Sequence, residues 1–285
     1  MSNTIDNTNA SSGRQIAQPD IRDLFGSLVS RGEIIDLSHE MAPGMPVYPK
    51  HVPFTLTLNR RHSDPNVPER PDGSTYINEV IVMPGHCSTH IDALGHFGRY
   101  GCVHGGIPAA SIETHQGLSK LDVSEIGPIL RPAVLLDVAK FRGVEKMNGG
   151  ERILGEELKA VAERQGTPVQ RGDIVLVRTG WAHHWSDAPT FNGKGGLPGP
   201  CSDGAQWLID QGVFMVGSDT PAFEAVPFPA DCVHVMCLVE RDIHIIENLN
   251  LEPISQRGIH RFMFVGLPVR LVGATGAPFR PVALA

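Results

Sequence analysis

Long apolar runs are missing from this sequence. No stretch approaches the roughly 18 consecutive apolar residues that a membrane-spanning helix requires, so no membrane partner is expected and the chain reads as one that works in solution. A basic excess is missing too. With 24 Lys and Arg against 31 Asp and Glu, the formal charge of −7 offers no footprint for a phosphate backbone, and nucleic acid is not an expected partner. Cysteine is sparse: Cys87, Cys102, Cys201, Cys232 and Cys237 are odd in number and show no CxxC spacing. That argues against a disulfide framework and a thiolate zinc site, and predicts a reducing, cytoplasmic setting. The opening residues MSNTIDNTNASSGRQIAQP lack the basic start and apolar core of a secretory signal, and residues 1–19 read as a flexible arm.

What is present is apolar residues and turn formers in quantity. A hydrophobic fraction of 41% over 285 residues suffices for a core, and 31 Gly with 23 Pro imply many connections. Asp20 can cap a short helix with Ile21, Leu24, Phe25 and Leu28 at helical spacing before Gly32, so the ordered domain is expected over 20–285. β-type runs follow at 33–37, 54–58, 77–83, 133–138, 174–177 and 213–216. Helices are predicted over 154–165, closed by Gly166, and from Ser202 as N-cap to Gln211, closed by Gly212. The segment 192–200 reads as a Gly/Pro-rich surface loop, and the last residues as strands broken by Gly and Pro. With no repeat and no long linker, the pattern predicts one mixed α/β domain.

The chemistry concentrates in one string. Three of the 13 histidines fall within HCSTHIDALGH. On an extended backbone, His86, His90 and Asp92 share parity and project to one side, whereas a helix would separate positions 90 and 92. Two imidazoles and a carboxylate are the donor set of a catalytic zinc or manganese site with positions left for water and substrate. A metal so held lowers the pKa of its water toward about 7 and supplies a hydrolase with its nucleophile. His96, beyond a small turn, titrates in the right range to move the proton. The plain alternative is a set of separately hydrogen-bonded core or turn histidines. Cys87 would point the other way on a strand, and a buried structural role is expected for it. His183 and His184 in RTGWAHHW read as surface residues.

The string also resembles the HxGTHxDxPxH signature of the metal-dependent cyclase-type hydrolases, the family of bacterial kynurenine formamidase and isatin hydrolase. His86, Thr89, His90, Asp92 and His96 match it, while Ser88 stands for the glycine and Leu94 for the proline. The likeness extends through IIDLSHEMAPGMPVYP, GDIVLVRTGW, GVFMVGSDTPAFE, HVMCLVERDIHIIENL and LPVRLVGATGAPFRPVA. It implies that His234 and Glu247 complete a site for one or two ions, with His244 a weaker competitor, and that Tyr48 flanks the substrate where the family usually has tryptophan. It further implies a compact α/β domain around a twisted, barrel-like mixed sheet flanked by helices, assembled as a homodimer or homotetramer. His104, in GRYGCVHGG, is expected to be structural.

The activity implied is hydrolysis of a small amide, formamide or cyclic amide, with His96 as acid/base. Three other readings stay open: a lactone hydrolase of the dienelactone type, a polyketide-type cyclase or dehydratase, and a non-catalytic metal or small-molecule binding protein.

Overall fold

In the computed structural model, which describes residues 26, 30, 32–65, 70–228 and 231–285, four apolar runs line up in parallel at the centre of a nine-stranded sheet. The arm expected over 1–19, and Asp20, Ile21, Leu24, Phe25 and Leu28 of the expected helix, lie outside the described residues. In chain order the strands are β1 (Ile34–Asp36), β2 (Thr55–Arg60), β3 (Asn78–Val82), β4 (His90–Asp92), β5 (Ile129–Asp137), β6 (Ile174–Arg178), β7 (Met215–Ser218), β8 (His244–Glu247), β9 (Arg261–Gly266), β10 (Gly276–Pro278) and β11 (Val282–Leu284). The sheet runs β1-β11-β9-β5-β6-β7-β8-β4-β10, parallel from β5 to β8 and antiparallel elsewhere.

Side-chain parity divides the core. Val134, Leu136, Val175 and Val177 face the ten-residue helices α1 (Gly155–Arg164) and α2 (Ser202–Gln211) through Leu158, Val161, Ala205 and Leu208. The alternate residues Ala133, Leu135, Ile174 and Leu176 meet Ile35, Ile91, Phe262, Phe264, Ala277 and Ala283, all from the sheet's own outer strands. The sheet therefore curls over half of its core, giving a half-barrel flanked by helices. Removing one such side chain, as in Leu135→Ala, costs about 2–5 kcal/mol of stability.

Local chemistry explains the boundaries. Helix α1 spans 155–164 and is followed by Gly166 at φ +63°, while Gly212 ends α2 at φ +69° in the left-handed region. Ser202 is the first helical residue of α2 and Cys201 its cap, so the expected Ser202 cap shifts by one position. Asp203 accepts the Gly155 N–H at 2.7 Å instead, tying the helices together. Trp181–His184 is a 3-10 turn, with His183 exposed and His184 half-buried. One further expectation is corrected. Segment 192–200 is no free loop: Leu197–Pro200 is buried, and Asn192 Nδ2 donates to the Val47 carbonyl at 2.9 Å.

Outside the sheet, β2 and β3 form a separate antiparallel hairpin, with Leu56, Leu58, Val80, Ile81 and Val82 exposed. At the far edge, β10 is three buried residues long and ends on Pro278. Among the described residues, no helix is long and apolar enough to cross a membrane.

Candidate metal centre and pocket

The extended backbone expected across 86–92 is broken. Strand β4 covers only His90–Asp92, and Ser88 turns the chain at φ +50°. A left-handed position suits glycine best, so Ser88 holds a conformation the family signature assigns to Gly. Cross-strand bonds anchor the bend: Thr89 Oγ1 donates to the Asn248 carbonyl at 2.6 Å, and Asn248 Nδ2 to the Ser88 carbonyl at 2.8 Å. His86, on the far side of the bend, reaches Asp92 because Gly276 of β10 has no Cβ, which would sit 2.5 Å from the His86 ring.

Strand register brings in Glu247, which lies opposite His90 in the β4–β8 pairing. His234 arrives from the segment before the helical turn Val235–Val239. Its Nε2 stands 3.1 Å from Glu247 Oε1 and 3.7 Å from Asp92 Oδ2; His90 Nε2 stands 3.2 Å from Glu247 Oε2 and 3.6 Å from Asp92 Oδ1. His86 Nδ1 is 2.8 Å from Asp92 Oδ1. The donor atoms of His90, Asp92 and Glu247 lie within 4.8 Å of one another, as do those of His86, Asp92 and His96. Asp92 belongs to both groups. The structure thus brings together His86, His90, Asp92, His96, His234 and Glu247.

His244 stays outside these groups, its Nδ1 2.8 Å from the Asp92 carbonyl, and His104 Nδ1 contacts the Val239 carbonyl at 3.0 Å. Cys87 is buried yet borders the pocket, and burial pushes its thiol up to about 11, so it stays protonated.

The hydrogen bonds test whether a cation fits. His90 Nδ1 faces the Ser88 carbonyl at 2.9 Å, which can only accept, so that nitrogen carries the proton. His234 Nδ1 faces Glu224 Oε1 at 2.7 Å in the same way. Both Nε2 atoms then present lone pairs to carboxylate oxygens unless positive charge intervenes. Buried His90 Nε2 and both Asp92 oxygens have no hydrogen-bond partner of acceptable geometry. A divalent ion bound by imidazole nitrogen and carboxylate oxygen resolves this arrangement.

The titrations express the same demand. Burial opposes the charge on His90, but Glu247 and Asp92 outweigh it and push the ring up to about 8. His234 rises well above its ordinary value against burial, through Glu224, Glu247 and Asp92. Burial would raise Asp92, yet His96, His86 and His90 hold it far below the usual range. Glu247 is lowered by His234 and His90 against burial and the Asp92 charge. Burial drives His96 down to about 4, leaving a neutral ring stacked on His86 at 3.9 Å between centroids.

Above the cluster lies a cavity of about 260 Å³, floored by His86, His90, His96, His234 and Glu247. Its walls include Pro46, Val47, Phe97, Pro221, Ala222 and Phe228. Tyr48, half exposed, stands at the wall, with His51 beside it at 5.1 Å between ring centroids. His51, Phe97 and Glu224 escaped the reading of the sequence. His51 stands two residues beyond the opening segment IIDLSHEMAPGMPVYP, and Glu224 ends GVFMVGSDTPAFE, so adjacency was the available signal.

The Cyclase family model matches residues 35–225. A kynurenine formamidase of Bordetella petrii is 25% identical over 253 residues, covering 87% of this chain and 95% of that protein. Cyclase-like protein 2 of Arabidopsis thaliana is 27% identical over 272 residues, covering 94% and 83%. Among solved structures, a novel cyclase superposes with a TM-score of 0.82 at 27% identity over 91% of this chain and 89% of that one. Isatin hydrolase A from Ralstonia solanacearum shares the fold at a TM-score of 0.70 and 22% identity, covering 94% and 98%.

Proposed function

Since the chain belongs to the Cyclase family, we propose that it is a metal-dependent hydrolase of a small amide, formamide or cyclic amide. The observation that carries this reading is the convergence of the His90 and His234 Nε2 atoms on the Asp92 and Glu247 carboxylates beneath an apolar cavity. His86, His90, Asp92, His234 and Glu247 would hold one or two divalent ions, zinc or manganese by donor type. When bound, the metal supplies an activated water and steadies negative charge on the carbonyl oxygen.

The remaining work falls to side chains. His96, neutral and at the cavity floor, accepts the proton of the attacking water and returns it to the departing nitrogen. Phe97, Val47 and Pro221 present apolar surface beside the substrate, which strengthens the polar interactions at the floor. Tyr48 flanks a planar substrate. The described lining residues include no Lys or Arg to hold a carboxylate, which favours a neutral cyclic amide over a formyl amino acid. A lactone presents the same carbonyl, so ester cleavage is the second reading on the same observation. The likeness to cyclase-like proteins keeps cyclisation or dehydration as a third reading, and bound metal without turnover would favour a binding protein. The apolar residues of the β2–β3 hairpin support assembly as a homodimer or homotetramer, readable from solution mass.

The deciding experiment is elemental analysis together with turnover of N-formylkynurenine, isatin and a dienelactone, with and without chelator and added Zn²⁺ or Mn²⁺. Chelator-sensitive cleavage of a C–N bond is expected. Lactone cleavage alone would move the assignment to the ester reading, and absence of metal affinity would sink it.

A further inference from the structure

One fully buried carboxylate has no part in the chemistry above. Glu224 sits between β7 and the turn at Val235, on the segment whose Pro221 and Ala222 line the cavity and whose Phe223 N–H donates to Glu247 at 3.1 Å. No Lys or Arg pairs with it among the described residues. Its partners are instead the Val233 N–H, the His234 N–H at 3.4 Å, the Cys232 thiol at 3.4 Å and, at 2.7 Å, His234 Nδ1. Three of these donors, the Cys232 thiol and both His234 groups, fall on Oε1, and the Val233 N–H falls on Oε2. Both carboxylate oxygens are thus engaged by the segment that carries His234.

We infer that Glu224 is the positioning residue for His234: it fixes the Nδ1–H tautomer and the ring plane, so that the Nε2 lone pair is delivered toward Asp92 and Glu247. The inference rests on the reading of this cluster as a divalent-metal site. Three features support it. First, the carboxylate reaches both the ring and the backbone of the residue that carries the ring, so the approach of His234 is held at two points. Second, the opposite ring receives a weaker version of the same device, since His90 Nδ1 is oriented by the neutral Ser88 carbonyl. A charged acceptor makes the stronger bond and raises the basicity of the ligating nitrogen. Third, the ring is clamped from the side by Phe97, at 4.5 Å between centroids, which leaves Glu224 to set its rotation.

The test is Co²⁺ binding to the full chain, read by chelator competition and by the visible d–d spectrum, independently of any substrate. Glu224→Gln keeps the side chain's shape and one acceptor oxygen but removes the charge. It is expected to weaken Co²⁺ binding by about 10-fold and to alter the spectrum, with the metal-free melting temperature near that of the parent. Glu224→Ala should weaken binding by up to about 100-fold. Cys232→Ser, which keeps a donor, should bind as the parent does. Parent-like affinity and spectrum in Glu224→Gln would overturn the positioning role while leaving the metal site intact, even if Glu224→Ala failed to fold. Absence of Co²⁺ binding in the parent would overturn both.

Discussion

Two buried carboxylate clusters share this sheet, and they are neutralised in opposite ways. At the carboxyl ends of β5 and β6, Asp137 and Glu252 close on Arg178, with Nη1 2.8 Å from Asp137 Oδ1 and Nε and Nη2 each 2.8 Å from Glu252 oxygens. Ser255 Oγ and the Glu145 carbonyl join the set, and His183 Nε2 stands 3.2 Å from Glu252 Oε2 at its exposed side. Burial works against the Arg178 charge, and Glu252 and Asp137 outweigh it, so the guanidinium is permanent. At the carboxyl end of β8, Asp92, Glu224 and Glu247 meet imidazoles instead. A covalently attached cation makes a closed structural knot. Imidazoles leave the positive charge to be supplied from outside, at the floor of a cavity.

The contrast can be broken by exchanging what each cluster depends on. The largest effect is expected from Asp92→Asn, which removes the carboxylate common to both donor groups. Metal affinity should fall by more than about 100-fold and turnover should vanish, as read by elemental analysis and assay. Retained metal would show that Asp92 is no ligand. Next comes His96→Ala, expected to lower kcat by about 10²–10⁴-fold with metal content unchanged; parallel loss of metal would make His96 a ligand, as its place beside His86 and Asp92 permits.

Arg178→Met should do the reverse. Leaving buried Asp137 and half-buried Glu252 without their cation costs about 3–5 kcal/mol in denaturant unfolding, while metal bound per folded molecule stays the same. Loss of metal there would join the two clusters into one unit.

The smallest effect sharpens the comparison with an imidazole that has neither kind of partner. His39 stacks on Trp185 at 4.0 Å, its Nε2 buried without a hydrogen bond, and burial pulls it down to about 4. Between the ordinary value of 6.5 and about 4, the unfolded chain binds a proton that the folded chain refuses. Stability therefore falls as pH is lowered through that window, by up to about 3 kcal/mol. His39→Phe should flatten this part of the stability profile; an unchanged slope would place the proton uptake elsewhere.

How much of this was legible in advance depended on distance along the chain. His86, His90, Asp92 and His96 stand close enough for clustering to mark them. The runs that become β5 and β6, and the Gly-closed helices α1 and α2, follow from periodicity and caps. The geometry inside the motif did not follow, because a parity argument assumes unbroken extension and Ser88 breaks it. Glu247 became readable through family likeness alone: its place opposite His90 is a matter of register between strands far apart in sequence. Glu224 is marked only by its place at the end of a family-like string, which does not tell its role. Its role is set by the turn of the chain after β7, which only the folded backbone displays. The hairpin's strands were legible as β-type runs at 54–58 and 77–83, but not that neither strand would be covered.

The strand beside the metal centre has one more consequence. An open sheet offers unpaired backbone groups at its margins, where other chains can add strands and seed aggregates. Here the margin next to the cavity is β10, three buried residues ending on Pro278, which brings no N–H to a would-be neighbour. The opposite margin, β1, is equally short. The molecule can thus keep a cavity open to solvent at the rim of its sheet without offering that rim as a template for polymerisation.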